Sequence, residues 1–178
     1  MPSEELVRDL IRPLDQCYCV KEEETVKEAL GLMAKAREEG KPLCLIVVGE
    51  EPSEREMIKG FVTAAELVFG LTTRFLKGAE KSGPIFWEGQ FEAQCLDSMN
   101  KRVKDIMAPV KAYVRETELL MEAVFLLYKY QKDFLPAMSG EKEEVVGTIH
   151  IHDILAHILR LASDKEDASK VRPVACHK

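Results

Sequence analysis

Long apolar runs are missing from this sequence. The longest, such as Leu43–Val48, are strand-sized and far short of the roughly 20 residues a membrane span needs, so no membrane association is expected. Positive charge is scarce as well. Lys and Arg number 25 against 31 Asp and Glu, a net charge of −6, which argues against holding a nucleic acid polymer by phosphate neutralisation. The five cysteines are odd in number, irregularly spaced at 17, 19, 44, 95 and 176, and form no Cys-x-x-Cys pair. They read as reduced thiols of a cytoplasmic protein, not as a disulfide scaffold or zinc ribbon. The acidic start, Met1-Pro2-Ser3-Glu4-Glu5, reads as neither signal nor transit peptide. There is no glycine-rich phosphate loop, nucleophile elbow or His-Glu-x-x-His helix. No pair of carboxylates sits in an acid–base context, so no enzyme is expected.

What the sequence does have is an apolar content of 46% over 178 residues, ample for a packed core, and an internal repeat. Val7-Arg8-Asp9-Leu10-Ile11-Arg12-Pro13 matches Val103-Lys104-Asp105-Ile106-Met107-Ala108-Pro109 at an offset of 96. Val20–Glu24 lies over Val114–Glu118, Glu28-Ala29-Leu30 over Glu122-Ala123-Val124, and Pro42 over Pro136, all at 94. Ile58–Val62 lies over Val145–Ile149 at 87. The matches keep their order, and the offset changes only in loop-like stretches. That is the mark of one folded unit duplicated.

Each copy reads as strand, helix, strand, strand, helix. Val26, Ala29, Leu30 and Met33 recur at helical spacing, with Thr25 and Glu28 as a capping box and Gly40 as a stop. This predicts a helix over 25–39, and Leu120, Ala123, Val124 and Leu127 repeat it. Leu43–Val48 suits a buried strand, Ile58–Val62 a second, and Ala64–Phe69 opens another helix. Between the copies, Leu71–Ala79 reads as helix, Gly83-Pro84 as a break and Ile85–Met99 as renewed helix. Trp87 lies there between Phe86 and Phe91, so this insert is the candidate dimer contact. The charged tail from Ser163 is expected to be poorly ordered or used in an interface.

Three features make each copy resemble a cystathionine-β-synthase (CBS) domain. One is the opening V-x-D-I-M-x-P, here Val103–Pro109. Another is the proline-introduced strand. The third is the closing Gly-apolar-apolar-[Ser/Thr]-x-x-Asp, here Gly60–Glu66 and Gly147–Asp153. The pair resembles a tandem CBS (Bateman) module: a first domain over 5–70, a helical insert over 71–101, a second domain over 102–162 and a tail over 163–178. The resemblance implies an α+β fold of two β-α-β-β-α units packed by their sheets about a pseudo-twofold axis. It further implies a regulatory sensor of AMP, ADP, ATP or S-adenosylmethionine, often a homodimer, passing its state to a regulated protein.

The closing motif has chemistry of its own. Thr63 stands between a strand and a helix, at the N-cap, where unpaired N–H groups and partial positive charge favour phosphate. A carboxylate three residues on can accept from both hydroxyls of a ribose. By resemblance, Thr63 and Glu66 would hold the ligand in the first copy, and His150 and Asp153 in the second. The same spacing is also a plain capping box, and both readings stand. Glu66 replaces the family's usual Asp, and His150 replaces Ser/Thr. The second site keeps its ribose carboxylate and is the favoured one.

The resemblance puts an apolar adenine pocket near Val110, Ala112 and Tyr113, or near Cys17 and Tyr18. The other reading of Tyr113 is a core residue. His150, His152, Asp153 and His157 fall within eight residues and suggest, as a weaker alternative, a metal or pH sensor, against a cap histidine with solvated neighbours. Cys17 and Cys19 read as buried thiols. A structural module with degenerate, non-binding sites is the remaining alternative.

Overall fold

The computed structural model describes residues 4–50, 58–141, 144–163 and 174. Its elements in order are β1 (Arg12–Pro13), β2 (Tyr18–Lys21), α1 (Val26–Glu38), β3 (Cys44–Val48), β4 (Ile58–Thr63), α2 (Ala64–Leu71), α3 (Thr73–Ser82), α4 (Gln90–Ser98), α5 (Val103–Ile106), β5 (Ala108–Pro109), β6 (Val114–Arg115), α6 (Leu120–Tyr130), β7 (Phe134–Met138), β8 (Val145–His150) and α7 (Ile151–Ser163). The fold is α+β with two four-stranded sheets. The expectation for the tail concerns residues that, from 164 on, lie outside the described ones apart from Val174.

Each copy follows its sequence signals except at the prolines expected to match: Pro42 precedes β3, whereas Pro136 stands inside β7 opposite Thr148. Thr25 and Glu28 cap α1 reciprocally: the Thr25 N–H donates to Glu28 at 2.7 Å, and the Glu28 N–H to Thr25 Oγ1 at 3.3 Å. β3 is buried at all five positions, as its uninterrupted apolar run requires. It pairs in parallel with β2 and antiparallel with β4. The second copy repeats this with β7 between β6 and β8, down to a register shift at the matching place, Val47/Val48 and Ala137/Met138. The insert differs from expectation at both of its helices: Leu71 ends α2, and α3 runs from Thr73 to Ser82. Helix resumes only at Gln90, not at Ile85. Gly83 and Gly89 both adopt positive φ, +79° and +77°, and Pro84 lacks the N–H that a continuing helix needs.

The packing units do not coincide with the two copies, and one of them is discontinuous in sequence. One comprises Pro13–Lys111, the other Met1–Arg12 with Ala112–Lys178. The fourth strand of each sheet comes from the other copy's opening motif. The sheet orders are β2-β3-β4-β5 and β1-β8-β7-β6. The motif's leading valines are fully buried, Val103 beside Val20, Leu45 and Val62, and Val7 beside Val114, Leu135 and Ile149. Matched backbone bonds dock them: Val103 N–H to Glu24 O at 2.8 Å and Lys104 N–H to Glu22 O at 3.0 Å; Val7 N–H to Glu118 O at 2.9 Å and Arg8 N–H to Glu116 O at 3.0 Å.

This exchange explains the glycine in the closing motif. Gly60 pairs with Pro109 across β4 and β5. A Cβ there would sit 2.5 Å from the Ala108 carbonyl oxygen. A Cβ on Gly147 would fall on the Ile11 side chain and the Arg12 carbonyl. Backbone cannot give way as a flexible side chain can, so alanine at either position should destabilise by about 1–3 kcal/mol. Gly78, with open space around it on α3, is the control: alanine there should stabilise by up to about 1 kcal/mol. Urea midpoints of the three variants test this, and a neutral Gly147→Ala would contradict it.

Candidate functional site

The two closing motifs enter helices in the same way but end up chemically different. In the first copy, Glu66 turns back on its own N-cap. The Thr63 N–H donates to Glu66 Oε2 at 2.9 Å, and the Thr63 hydroxyl donates to the same oxygen. This is the arrangement of Thr25 and Glu28 at the start of α1. Glutamate is long enough to close a capping box. Glu66 also borders a shallow cleft of about 380 Å³, together with Asp105, Glu80 and Lys77. Three carboxylates against one ammonium make this a poor place for a phosphate.

In the second copy the carboxylate is one methylene shorter and does something else. Asp153, in the first turn of α7, takes a bidentate ion pair from Arg12: Nε to Oδ2 and Nη2 to Oδ1, both 2.7 Å. Fork-on-carboxylate geometry is the strong form of this interaction. Arg12 arrives on β1, the strand held against Gly147. His150 ends β8 and faces Phe134 across the ladder. The two rings stack at 5.5 Å, and His150 Nε2 lies 2.8 Å from Thr148 Oγ1, a fully buried hydroxyl. Thus Arg12, His150 and Asp153 share one packing unit around the entry to α7.

The other expected site residues are spread out. Ala112 packs against the second-copy core. Tyr113 is 45% exposed, with the Arg115 guanidinium 5.8 Å from its ring, so its reading as a core residue is corrected. Val110 is partly exposed. Tyr18 is held by its own neighbours, donating to Glu39 at 2.6 Å with Lys41 Nζ 4.2 Å above its ring. Cys17 is buried, but Cys19 is exposed. β2 begins at Tyr18, so strand alternation does not extend to Cys17. The histidines do not converge. His150 bonds Thr148, and His157 Nε2 lies 2.5 Å from Glu5. Among the described residues no three His, Cys, Asp or Glu side chains are placed to hold a metal ion.

The CBS domain family model matches residues 7–72 and 103–160, well over half the chain and both copies. The chain belongs to the CBS domain family. Its CBS segments occur in the same paired order in solved structures. CBSX2 from Arabidopsis thaliana, a CBS-pair protein, aligns with a TM-score of 0.64 at 19% identity, over 90% of this chain and 99% of that one. CBSX2 in complex with AMP aligns with a TM-score of 0.60 at 20% identity, over 88% and 98%. The cytosolic domain of the Mg2+ channel MgtE, in complex with ATP, aligns with a TM-score of 0.54 at 21% identity, over 83% of this chain and 46% of that one. No curated protein matches the chain. The tandem CBS module expected from the sequence is thereby shown.

Arg12 was not singled out from the sequence. A signal was present: in the aligned CBS opening motifs, Arg12 stands opposite Ala108, a cation opposite a methyl group. What the sequence does not state is that the opening motif of one CBS copy packs beside the closing motif of the other.

The candidate site of the second copy contains a group, His150, whose ionisation is shifted by burial. Burial pulls the His150 pKa down from 6.5 to about 4, with Asp153 acting in the opposite direction and Arg12 and His152 reinforcing the fall. His150 is therefore neutral at pH 7, which removes it as a near-neutral pH sensor and as a cationic phosphate ligand. Unfolded, the ring takes a proton near pH 6.5; folded, only near 4. Between those values the unfolded state binds more protons, so stability falls as pH drops from about 6.5 towards 4. From pH 7 to pH 5 this group should cost about 2 kcal/mol. Urea unfolding of the native chain and of His150→Phe at both pH values checks it. The variant should lose less stability on acidification, and equal losses would contradict the assignment.

Proposed function

We propose that this CBS pair is a regulatory module that binds an adenosine derivative at the second-copy site and passes its bound state to a partner protein. The observation that carries this reading is the grouping of Asp153, Arg12 and His150 at the start of α7. A carboxylate suits ribose hydroxyls, and a guanidinium beside a helix N-terminus suits phosphate. AMP and ATP in two structural neighbours support the ligand class. Ala112 and Tyr113 lie in the same packing unit and would flank the base. Thr63 and Glu66, closed on each other, would be the silent site.

The role is sensing without catalysis, in the cytoplasm, with a ligand that shifts a conformational equilibrium only by its differential affinity for two states. We propose a homodimer contacted through the insert, because Ile85, Phe86, Trp87 and Phe91 are 57–75% exposed. A monomeric mass by light scattering at high concentration would overturn that part.

A second reading has an observation in its favour. Both closing carboxylates already have partners within the protein, Thr63 and Arg12. A structural module that binds no nucleotide would look like this too. Thermal unfolding separates the readings. At about a hundred times its Kd, a ligand bound only to the folded state adds about 2.7 kcal/mol, which in a domain of this size raises Tm by several degrees. AMP, ADP, ATP and S-adenosylmethionine are to be compared at millimolar concentration. The expected result is a shift with at least one, abolished in Asp153→Asn and retained in Glu66→Gln. No shift with any of the four would overturn the proposal and favour the structural module.

A further inference from the structure

The shallow cleft beside the first closing motif has a chemistry that the nucleotide reading leaves unused. It encloses about 380 Å³, within the unit Pro13–Lys111. Its wall is apolar: Phe69 of α2, Leu76 of α3 and Met107 of the second opening motif line it. Phe69 is 60% exposed and Leu76 38%. Water-facing apolar side chains gathered along one groove mark a contact surface. The polar part of the lining is lopsided: three carboxylates, those of Glu66, Glu80 and Asp105, against the ammonium of Lys77. Glu66 is closed on Thr63, while Glu80 and Asp105 are exposed. Leu76 and Glu80, one turn apart, share a face of α3. Phe75, which packs on Phe86 at 5.6 Å, lies off that face, so the groove is distinct from the aromatic loop of the insert.

We propose that this groove docks a partner protein through a basic segment that carries Lys or Arg beside an apolar side chain. The apolar side chain lies against Phe69 and Leu76, and the cation meets Glu80 and Asp105. Opposite charge across the contact selects such a segment and repels an acidic one. A second copy of this chain is the poorer occupant, since it carries a net charge of −6 towards carboxylates. A small free cation is poorer as well, because a shallow groove buries too little of its surface. The inference rests on the proposed function for the existence of a partner, and on nothing at the second-copy site.

Selection of a random library of displayed short peptides against the native chain tests it, followed by calorimetric titration of the recovered peptides into the native chain, Phe69→Ser and Glu80→Arg. Both side chains are exposed, so the two variants should fold. The recovered peptides should join Lys or Arg to an apolar neighbour. Each variant should bind them about tenfold more weakly, the cost of truncating a contributing interface residue. Glu80→Arg should regain binding when the basic residue of the peptide is exchanged for Glu, which general damage to the fold would not produce. Peptides without a basic bias, or with unchanged affinity for both variants, would overturn the proposal. Spermidine competing as well as the peptides would overturn it in favour of a small-cation site. A dimer that becomes a monomer in Phe69→Ser would overturn it in favour of a second copy. A thermal shift with AMP and no peptide binding would overturn the docking groove and leave the nucleotide reading standing. Peptide binding of the expected kind with no nucleotide shift would support the groove and overturn the nucleotide reading.

Discussion

The close approach of β1 to Gly147, and of β5 to Gly60, is the constraint on which the rest of this structure depends. A strand of two residues has little pairing energy of its own. It is held because the neighbouring strand lacks a Cβ at the crossing point and because a valine just ahead of it is fully buried in the same unit. Burying such a side chain stabilises by roughly 1.5–3 kcal/mol. Each opening motif thus combines an anchor, Val7 or Val103, with a short strand, and each closing motif supplies the bare backbone that receives it. The repeat is built so that its two ends recognise each other between copies.

That constraint also sets what the second site contains. The residue before the opening proline is carried to the start of the helix that follows the closing motif. In the second-copy unit this residue is Arg12, and it meets Asp153. In the first-copy unit the same place holds Ala108, which pairs with Phe61 and brings no charge. The divergence of the two sites follows from this one position together with the length of one acidic side chain. Glutamate reaches its own N-cap and closes there. Aspartate leaves its carboxylate to a neighbour, and a cation has been placed to take it.

Much of the fold was legible in the sequence. Period and capping chemistry located α1 within one residue at each end, since Thr25, Glu28 and Gly40 act locally. The repeat pointed to two sheets of like topology. The insert was less legible because its break depends on glycines at positive φ on either side of a proline, and Ile85–Gly89 carries apolar residues that suit helix or loop equally. The strand exchange was not legible. It joins residues far apart in the chain, Gly60 with Ala108 and Gly147 with Arg12, through backbone contacts that leave only a glycine as their trace. The candidate site shares that limit. His150 and Asp153 were visible as a motif, but the buried state of His150 and the partnership of Arg12 with Asp153 are tertiary facts. The histidine cluster was legible as a spacing and dissolved in the structure, because β8 ends at His150 and the following residues turn into α7.

The proposed function turns on one side chain, Asp153, at the start of α7 beside the exchanged strand. A crystal structure of the intact chain grown with AMP tests that most directly. The proposed function predicts Asp153 bonded to the ribose hydroxyls and β1 still seated against Gly147. AMP bound elsewhere, with the Arg12–Asp153 pair unbroken, would contradict it.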